Sequence, residues 1–325
     1  MVSSVRTDPS GEHEENRVEG PLRSSAAWLG PTSYWQPEHL VESAWHEHAP
    51  FASWLVDTAR PRILAELGTH NGFSFFVFCE AAKRLGLATQ CFALDTWQGD
   101  EHAGFYGAEV FDSVTTRAET DYAGSAHLLR GYFSESVSSF ADGSIDILHI
   151  DGRHRYEDAR EDFATYLPKL SDRALVLFHD TMEREHGFEV WRLWAELADQ
   201  YPDSSFEFRH GHGLGVLGVG NRLPAALSDF FASTAAHGAE IREAYSLLGS
   251  KVARSYEDGK LTAANNELER LLTESVNRAQ ILEESIQSSI DRFDDLSLRQ
   301  QELLASTSWQ VTAPLRWVKT RISRR

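Results

Sequence analysis

The chain has 325 residues, enough for one α/β domain of ordinary size plus further segments, and 42% of them are hydrophobic, enough for a packed core. A formal net charge of −18 argues against a nucleic-acid partner, because neutralising phosphates requires a basic face. The two cysteines, Cys79 and Cys91, make neither a disulfide framework nor a zinc knuckle and are expected as buried packing. The stretch from Met1 to Gly20 is polar and acidic without a signal-like apolar segment, and no apolar run is long enough for a bilayer, so a cytoplasmic location is expected.

Residues 1–27 lack periodicity and are expected as a disordered tail. From Tyr34 to Arg60 an aromatic-rich helical pattern, interrupted by Pro37 and Pro50, predicts a cap over one end of a sheet. Such caps line substrate entrances, which alone makes His46 and His48 candidates. Arg62 to Leu67 then reads as a buried strand, followed by a glycine-bearing turn and an apolar helix from about Phe73 to Leu85. The pattern Glu66-x-Gly68-x-x-x-Gly72 is not a phosphate loop, which would end in Gly-Lys-Ser/Thr. Nor is it a dinucleotide fingerprint, because His70 stands where the middle glycine belongs. An ordinary turn and a cofactor loop both fit it.

A second strand, Thr89 to Asp95, ends in an acid placed either to hold ribose hydroxyls or to cap the next helix. Trp97 to Gly107 is long and glycine-rich, as lids are. Further strands are predicted at Ala126–Arg130, before Gly131, at Ser144–Asp151, and at Arg173–Thr181. Helices are expected from the Gly152–Tyr156 turn to about Leu170 and from Phe188 to Gln200. Ser205–Arg209 and Leu214–Gly220, around His210-Gly-His212-Gly, predict an antiparallel hairpin at the sheet edge. Polar side chains thus collect at the ends of four otherwise apolar strands: Glu66, Asp95, Asp151, and His179 with Asp180. The carboxyl edge of a parallel sheet is where such folds place their sites.

Three ordered segments carry a resemblance: Glu66-Leu-Gly68-Thr-His70-Asn71-Gly72, His149-Ile-Asp151-Gly-Arg-His154-Arg-Tyr156, and Phe178-His179-Asp180-Thr181. Together they resemble the class I S-adenosylmethionine-dependent methyltransferases, over about Trp45 to Gly220. They are closest to a bacterial branch that includes sugar and antibiotic O-methyltransferases and companions of polysaccharide glycosyltransferases. The resemblance implies a Rossmann-like sheet of seven strands, mostly parallel, with the last strand antiparallel. It implies that Glu66, Gly68, His70, Asn71 and Gly72 frame the methionine part of the cofactor, Asp95 the ribose, and the region of Gly131 the adenine. Metal-dependent relatives hold magnesium at positions matching Asp151, Asp180 and Thr181. Here Thr181 departs from the relatives' asparagine and His179 from an apolar residue; Asp151 and Asp180 are the candidate ligands for Mg2+ or Mn2+, with His179 either a third ligand or the group that orients them. Imidazole titrates near neutral pH, so His154 beside Asp151 is the candidate general base, with a plain helix-start polar residue as the competing reading.

The character changes beyond Arg222. Residues 223–250 predict one or two helices packing back on a methyltransferase domain at 28–222, and 251–305 a coiled coil or long helix. Leu261, Leu268, Leu272, Ala279, Leu282, Ile286, Phe293, Leu296 and Leu303 fall on one seam, which points to self-association or to docking on another protein. Residues 306–325 carry five basic residues and no acid, as an amphipathic tail on an anionic membrane face would. Within them, Ser308-Trp-Gln-Val-Thr312-Ala-Pro-Leu-Arg316 resembles the ends of bacterial polysaccharide glycosyltransferases. The expectation is an O-methyltransferase acting on a sugar or glycan intermediate, peripheral to the inner membrane and partnered by a glycosyltransferase. The rivals are a non-catalytic adaptor of the same fold and a nicotinamide oxidoreductase.

Overall fold

The computed structural model describes residues 27–100 and 104–322. The expected tail at 1–27 therefore lies outside the described residues, except for Ala27. The chain divides into two units, Met1–Tyr256 and Glu257–Arg325.

The first unit is built on a seven-stranded sheet: β1 Ile63–Leu67, β2 Gln90–Asp95, β3 Ala126–Arg130, β4 Ile145–Ile150, β5 Leu170–His179, β6 Ser205–Phe208 and β7 Leu214–Gly218. Their spatial order is β3-β2-β1-β4-β5-β7-β6. The first five pair in parallel, and β7 is antiparallel to both β5 and β6. The expected mostly parallel sheet with an antiparallel edge is what forms. Alternation along each strand sends side chains to opposite layers. Leu64, Ile147, Leu175 and Leu177 join one core with α1 (Ala49–Ala59) and α2 (Phe73–Arg84). Ala65, Leu148, Val176 and Phe178 join the other with α4 (Tyr156–Tyr166) and α5 (Val190–Gln200). With both faces covered, the parallel strands read as near-continuous apolar runs. Helix α3 (Ala108–Asp121) follows the Trp97–Gly107 loop, in which Gly99–Asp100 and Gly104–Phe105 pair as a short antiparallel ribbon.

The N-terminal cap departs from expectation. Only α1 is an α-helix there, preceded by 3-10 turns at Pro31–Tyr34 and His46–His48. Pro37 disfavours helical backbone in the residue before it, whereas Pro50 falls in the first turn of α1, where no N–H is needed. At the other end, the two segments expected at 223–250 and 251–305 are one helix, α6 (Ala225–Ala305). Its first part buries Leu227, Phe230, Ile241, Tyr245 and Val252 in the first unit. There Gly249 lies so near the Glu47 backbone that a Cβ would collide with it. The second unit holds the rest of α6 with α7 (Thr307–Val311) and α8 (Ala313–Ile322), and its large apolar side chains are exposed. No helix among the described residues is long and apolar enough to cross a membrane.

At the amino ends of the central strands, Asp146 of β4 is 1% exposed and accepts four hydrogen bonds. Arg62 supplies its backbone N–H at 2.8 Å, Nε at 3.0 Å and Nη2 at 2.9 Å, and Ser171 of β5 its hydroxyl at 2.7 Å. Burial alone would raise this carboxyl, but the Arg62 and Ser171 bonds outweigh it and hold the group below its ordinary range. A depressed carboxyl stabilises the fold above its unfolded value of about 3.9 and loses that contribution as pH falls through the lower folded value. Asp146→Ala should therefore cost about 2–3 kcal/mol near neutrality. Urea unfolding should show the gap to the parent chain narrowing below about pH 4.

Candidate functional site

The turn after β1 is shaped by what its backbone touches. Gly68 has φ +92°, and a Cβ there would run into the carbonyl oxygen of Asp151, so the glycine is required for β1 and β4 to end side by side. Its N–H bonds the Leu94 carbonyl of β2 at 2.9 Å, while the Asp151 N–H bonds the Leu67 carbonyl at 2.8 Å. Gly72, at φ +81°, opens α2. The Asp95 carboxylate ties this turn to the end of β2: one oxygen accepts the N–H groups of Thr69 (2.8 Å) and His70 (2.9 Å), the other that of Trp97 (2.7 Å). The Gly131 N–H reaches the Asp95 carbonyl at 2.9 Å. Gly131, Asp95, Gly68 and Asp151 are thus consecutive links along the carboxyl ends of β3, β2, β1 and β4.

Glu66 stands apart from this edge. One residue before the end of β1, it is completely buried, and its Oε2 hydrogen-bonds Nδ1 of His149 at 2.8 Å across the paired strands. Trp45 and Phe78 close over that imidazole. Burial raises the Glu66 carboxyl, with the His149 bond opposing it. The remaining residues of the turn are engaged locally. His70 packs its ring on Tyr106 of the glycine-rich loop, and Asn71 donates to the Glu42 carbonyl at 3.1 Å.

Beyond β4 and β5 the structure gathers Asp151, His154, His179 and Asp180. His179 Nδ1 lies 3.1 Å from Asp151 Oδ1 and 3.4 Å from Asp180 Oδ1, and its Nε2 lies 3.1 Å from the Gly211 carbonyl. All of these are acceptors, so both ring nitrogens carry protons and the side chain is an imidazolium. Burial would lower its pKa, but Asp180 and Asp151 more than reverse that and raise it well above the usual value. His154 Nε2 sits 2.9 Å from Asp180 Oδ2 and 3.7 Å from Asp151 Oδ1, and its ring stacks on Phe188. Burial opposes its charge too, yet hydrogen bonds to Asp151 and Asp180 raise it to about 9. Against the burial that would raise them, the His179 charge holds both carboxyls below their ordinary range.

The expected ligand set was Asp151, Asp180 and His179. Among the described residues, Asp151, His154 and Asp180 have ligand atoms within 4.8 Å of one another, while His179 contacts both carboxylates through Nδ1. His179 is committed through both nitrogens and orients the carboxylates. Of the cap and turn histidines, His48 reaches this neighbourhood by sharing the Gly211 carbonyl at 2.8 Å. Burial, together with the charge of His179, lowers its pKa well below the usual value. His46 packs between Phe73 and Tyr256, and exposed His212 pairs with Glu183. The sequence reading missed the Glu66–His149 pair. The signal was there in two polar residues at matching depth in apolar strands.

Residues 65–181 match the model of a family described as a methyltransferase domain. Over 186 residues the chain is 52% identical to the uncharacterized protein y4gI of Sinorhizobium fredii, a match covering 57% of this chain and 20% of that one. The chain therefore spans about a fifth of that relative's length. Similar solved structures include an O-methyltransferase from Bacillus cereus in complex with SAH (14% identity, TM-score 0.39, 56% of this chain and 84% of that one). Another is an SAH-bound methyltransferase from Podospora anserina (12% identity, TM-score 0.40, 55% of this chain and 89% of that one).

The close approach at Gly68 makes a contrast of two left-handed glycines informative. Gly68→Ala should destabilise the chain by more than about 2 kcal/mol, combining backbone strain with overpacking. Gly86, at φ +64° with open space around it, should cost about 1 kcal/mol on the same change. Thermal unfolding of the two variants measures the difference.

Proposed function

We propose that the methyltransferase domain formed by residues 65–181 transfers the methyl group of S-adenosylmethionine to a hydroxyl oxygen of a sugar or glycan intermediate. The observation that carries this reading is the placement of the Asp151–His154–Asp180 cluster directly beside the Gly68 turn. A donor held by the turn and an acceptor held by the cluster would be neighbours. In this reading the backbone of Gly68, His70, Asn71 and Gly72 takes the methionine end, Asp95 the ribose and the Gly131 region the adenine. The residues present fit a polar ligand. Asp95 Oδ1 accepts one N–H and keeps acceptor capacity, and the buried Thr69 hydroxyl has no hydrogen-bond partner among the described residues. Glu66 pairs with His149 through Oε2 and keeps Oε1 buried without a hydrogen-bond partner among the described residues.

The bound cofactor supplies an already activated methyl carbon, so the protein's part is alignment and removal of the acceptor's proton. Asp151, His154 and Asp180 also fit a divalent cation, and two carboxylates with an imidazole favour Mn2+ over Mg2+. An ion held there would supply Lewis acidity toward an acceptor hydroxyl. Without a cation, His154 is held protonated near neutral pH by its two carboxylates, and binding an ion through its ring nitrogen would first release that proton. A base role for it begins with loss of that proton. The sugar acceptor and a glycosyltransferase partner rest on the resemblance to the bacterial branch and to glycosyltransferase ends, and contact with an anionic membrane face on the five basic residues of 306–325.

Isothermal titration of the full chain with S-adenosylmethionine tests the reading. Binding is expected, and its absence would favour the adaptor. Asp151→Ala should keep cofactor affinity within about threefold while abolishing turnover, since it removes a group on the acceptor side. Asp180→Ala should lose the bound Mn2+ signal in electron paramagnetic resonance, a readout independent of activity. An unchanged signal removes the metal from the proposal.

A further inference from the structure

The second unit presents an apolar seam whose large side chains are exposed among the described residues. Across Leu261–Leu303 the spacing alternates four and three residues. One position of the seven-residue repeat holds Leu261, Leu268, Leu282, Leu296 and Leu303, and the other holds Leu272, Ala279, Ile286 and Phe293. The large side chains of the seam are 52–69% exposed. A bare helix with such a stripe is marginal in water. We propose that this seam is covered by a second copy of the chain, in a parallel, in-register, two-stranded coiled coil.

The polar interruptions select that arrangement. Asn265, Ser275, Ser289 and Gln300 also fall on the seam. In a parallel, in-register pair each meets its own copy, so amide faces amide and hydroxyl faces hydroxyl. An antiparallel pair of full overlap sets Asn265 against Leu296, Gln300 against Leu261, Ser289 against Leu272 and Ser275 against Ile286. A parallel pair slipped by one repeat sets Asn265 against Leu272 and Leu268 against Ser275. Each mismatch buries a polar group beside a side chain that cannot bond it. Leucine in most layers at one core position and a single asparagine at the other favour two strands.

Charge agrees. The flanking position of Arg278 faces that of Glu283 on the second copy when the pair is parallel and in register. Among the described residues neither forms an ion pair within its own chain, unlike Arg270 with Glu267 and Glu274, or Arg299 with Asp295. The next flanking pairs on either side, Leu271 with Val276 and Ser285 with Ile290, set no like charges together.

Sedimentation of the full chain should give twice its 36.6 kDa. Ile286→Asp, and separately Leu282→Glu, should each halve that mass without changing the thermal unfolding of the sheet-bearing unit. Leu268→Cys should form a disulfide-linked dimer on oxidation, because the native Cys79 and Cys91 are buried and do not compete. A monomer or a trimer in the parent chain would overturn the proposal. So would cross-linking of Leu268→Cys only after mixing with Phe293→Cys, the outcome of antiparallel pairing. None of these readouts depends on methyl transfer.

Discussion

Two carboxylates, half-buried Asp151 and buried Asp180, stand within ligand distance of each other, and the site depends on what keeps them there. Like charges at that separation in a low-dielectric setting repel strongly, and ordinary burial would protonate one of them. Two imidazoles prevent this. His179, donating through both nitrogens, is one countercharge, and His154, the more exposed of the two, is the other. The cluster thus remains ionised at neutral pH as a coupled unit, and removing any one member would change the others.

The scaffold supports that cluster from both ends of the sheet. At the amino ends, Asp146 gathers Arg62, β4 and Ser171 of β5 into one hydrogen-bonded knot. At the carboxyl ends, Gly68 lets β1 and β4 finish in backbone contact, and Asp95 fixes the following turn through three N–H groups. Between them, Glu66 and His149 place a polar bond inside an aromatic layer. A bond of that kind resists slippage of β1 against β4, since a one-residue shift would leave both groups buried and unpaired.

Much of this was legible from residue order because parallel strands covered on both faces must be apolar throughout, so their polar ends mark the edge. Although β5 begins at Leu170, where a helix was expected to end, the carboxyl ends of the strands, the Gly68 turn, and the convergence of Asp151 with Asp180 follow from that rule. Partner choice did not. Nothing in periodicity tells that Glu66 finds His149, 83 residues away. Nor does periodicity tell that His154 comes within ligand distance of Asp151 and Asp180. The continuity of α6 was hidden for a different reason. A glycine inside a helix is ordinarily unfavourable, but Gly249 packs so closely on the Glu47 backbone that a Cβ would collide there.

The hairpin tip between β6 and β7 has an unusual consequence. Gly211 offers one carbonyl to both His48 and His179, and the His212 carbonyl accepts the Met182 N–H at 2.9 Å. Edge hairpins ordinarily absorb insertions and deletions with little effect. Here a single added residue would withdraw an acceptor from two buried imidazoles at once. In any lineage descending from this chain, that tip should hold its length while the other surface loops drift.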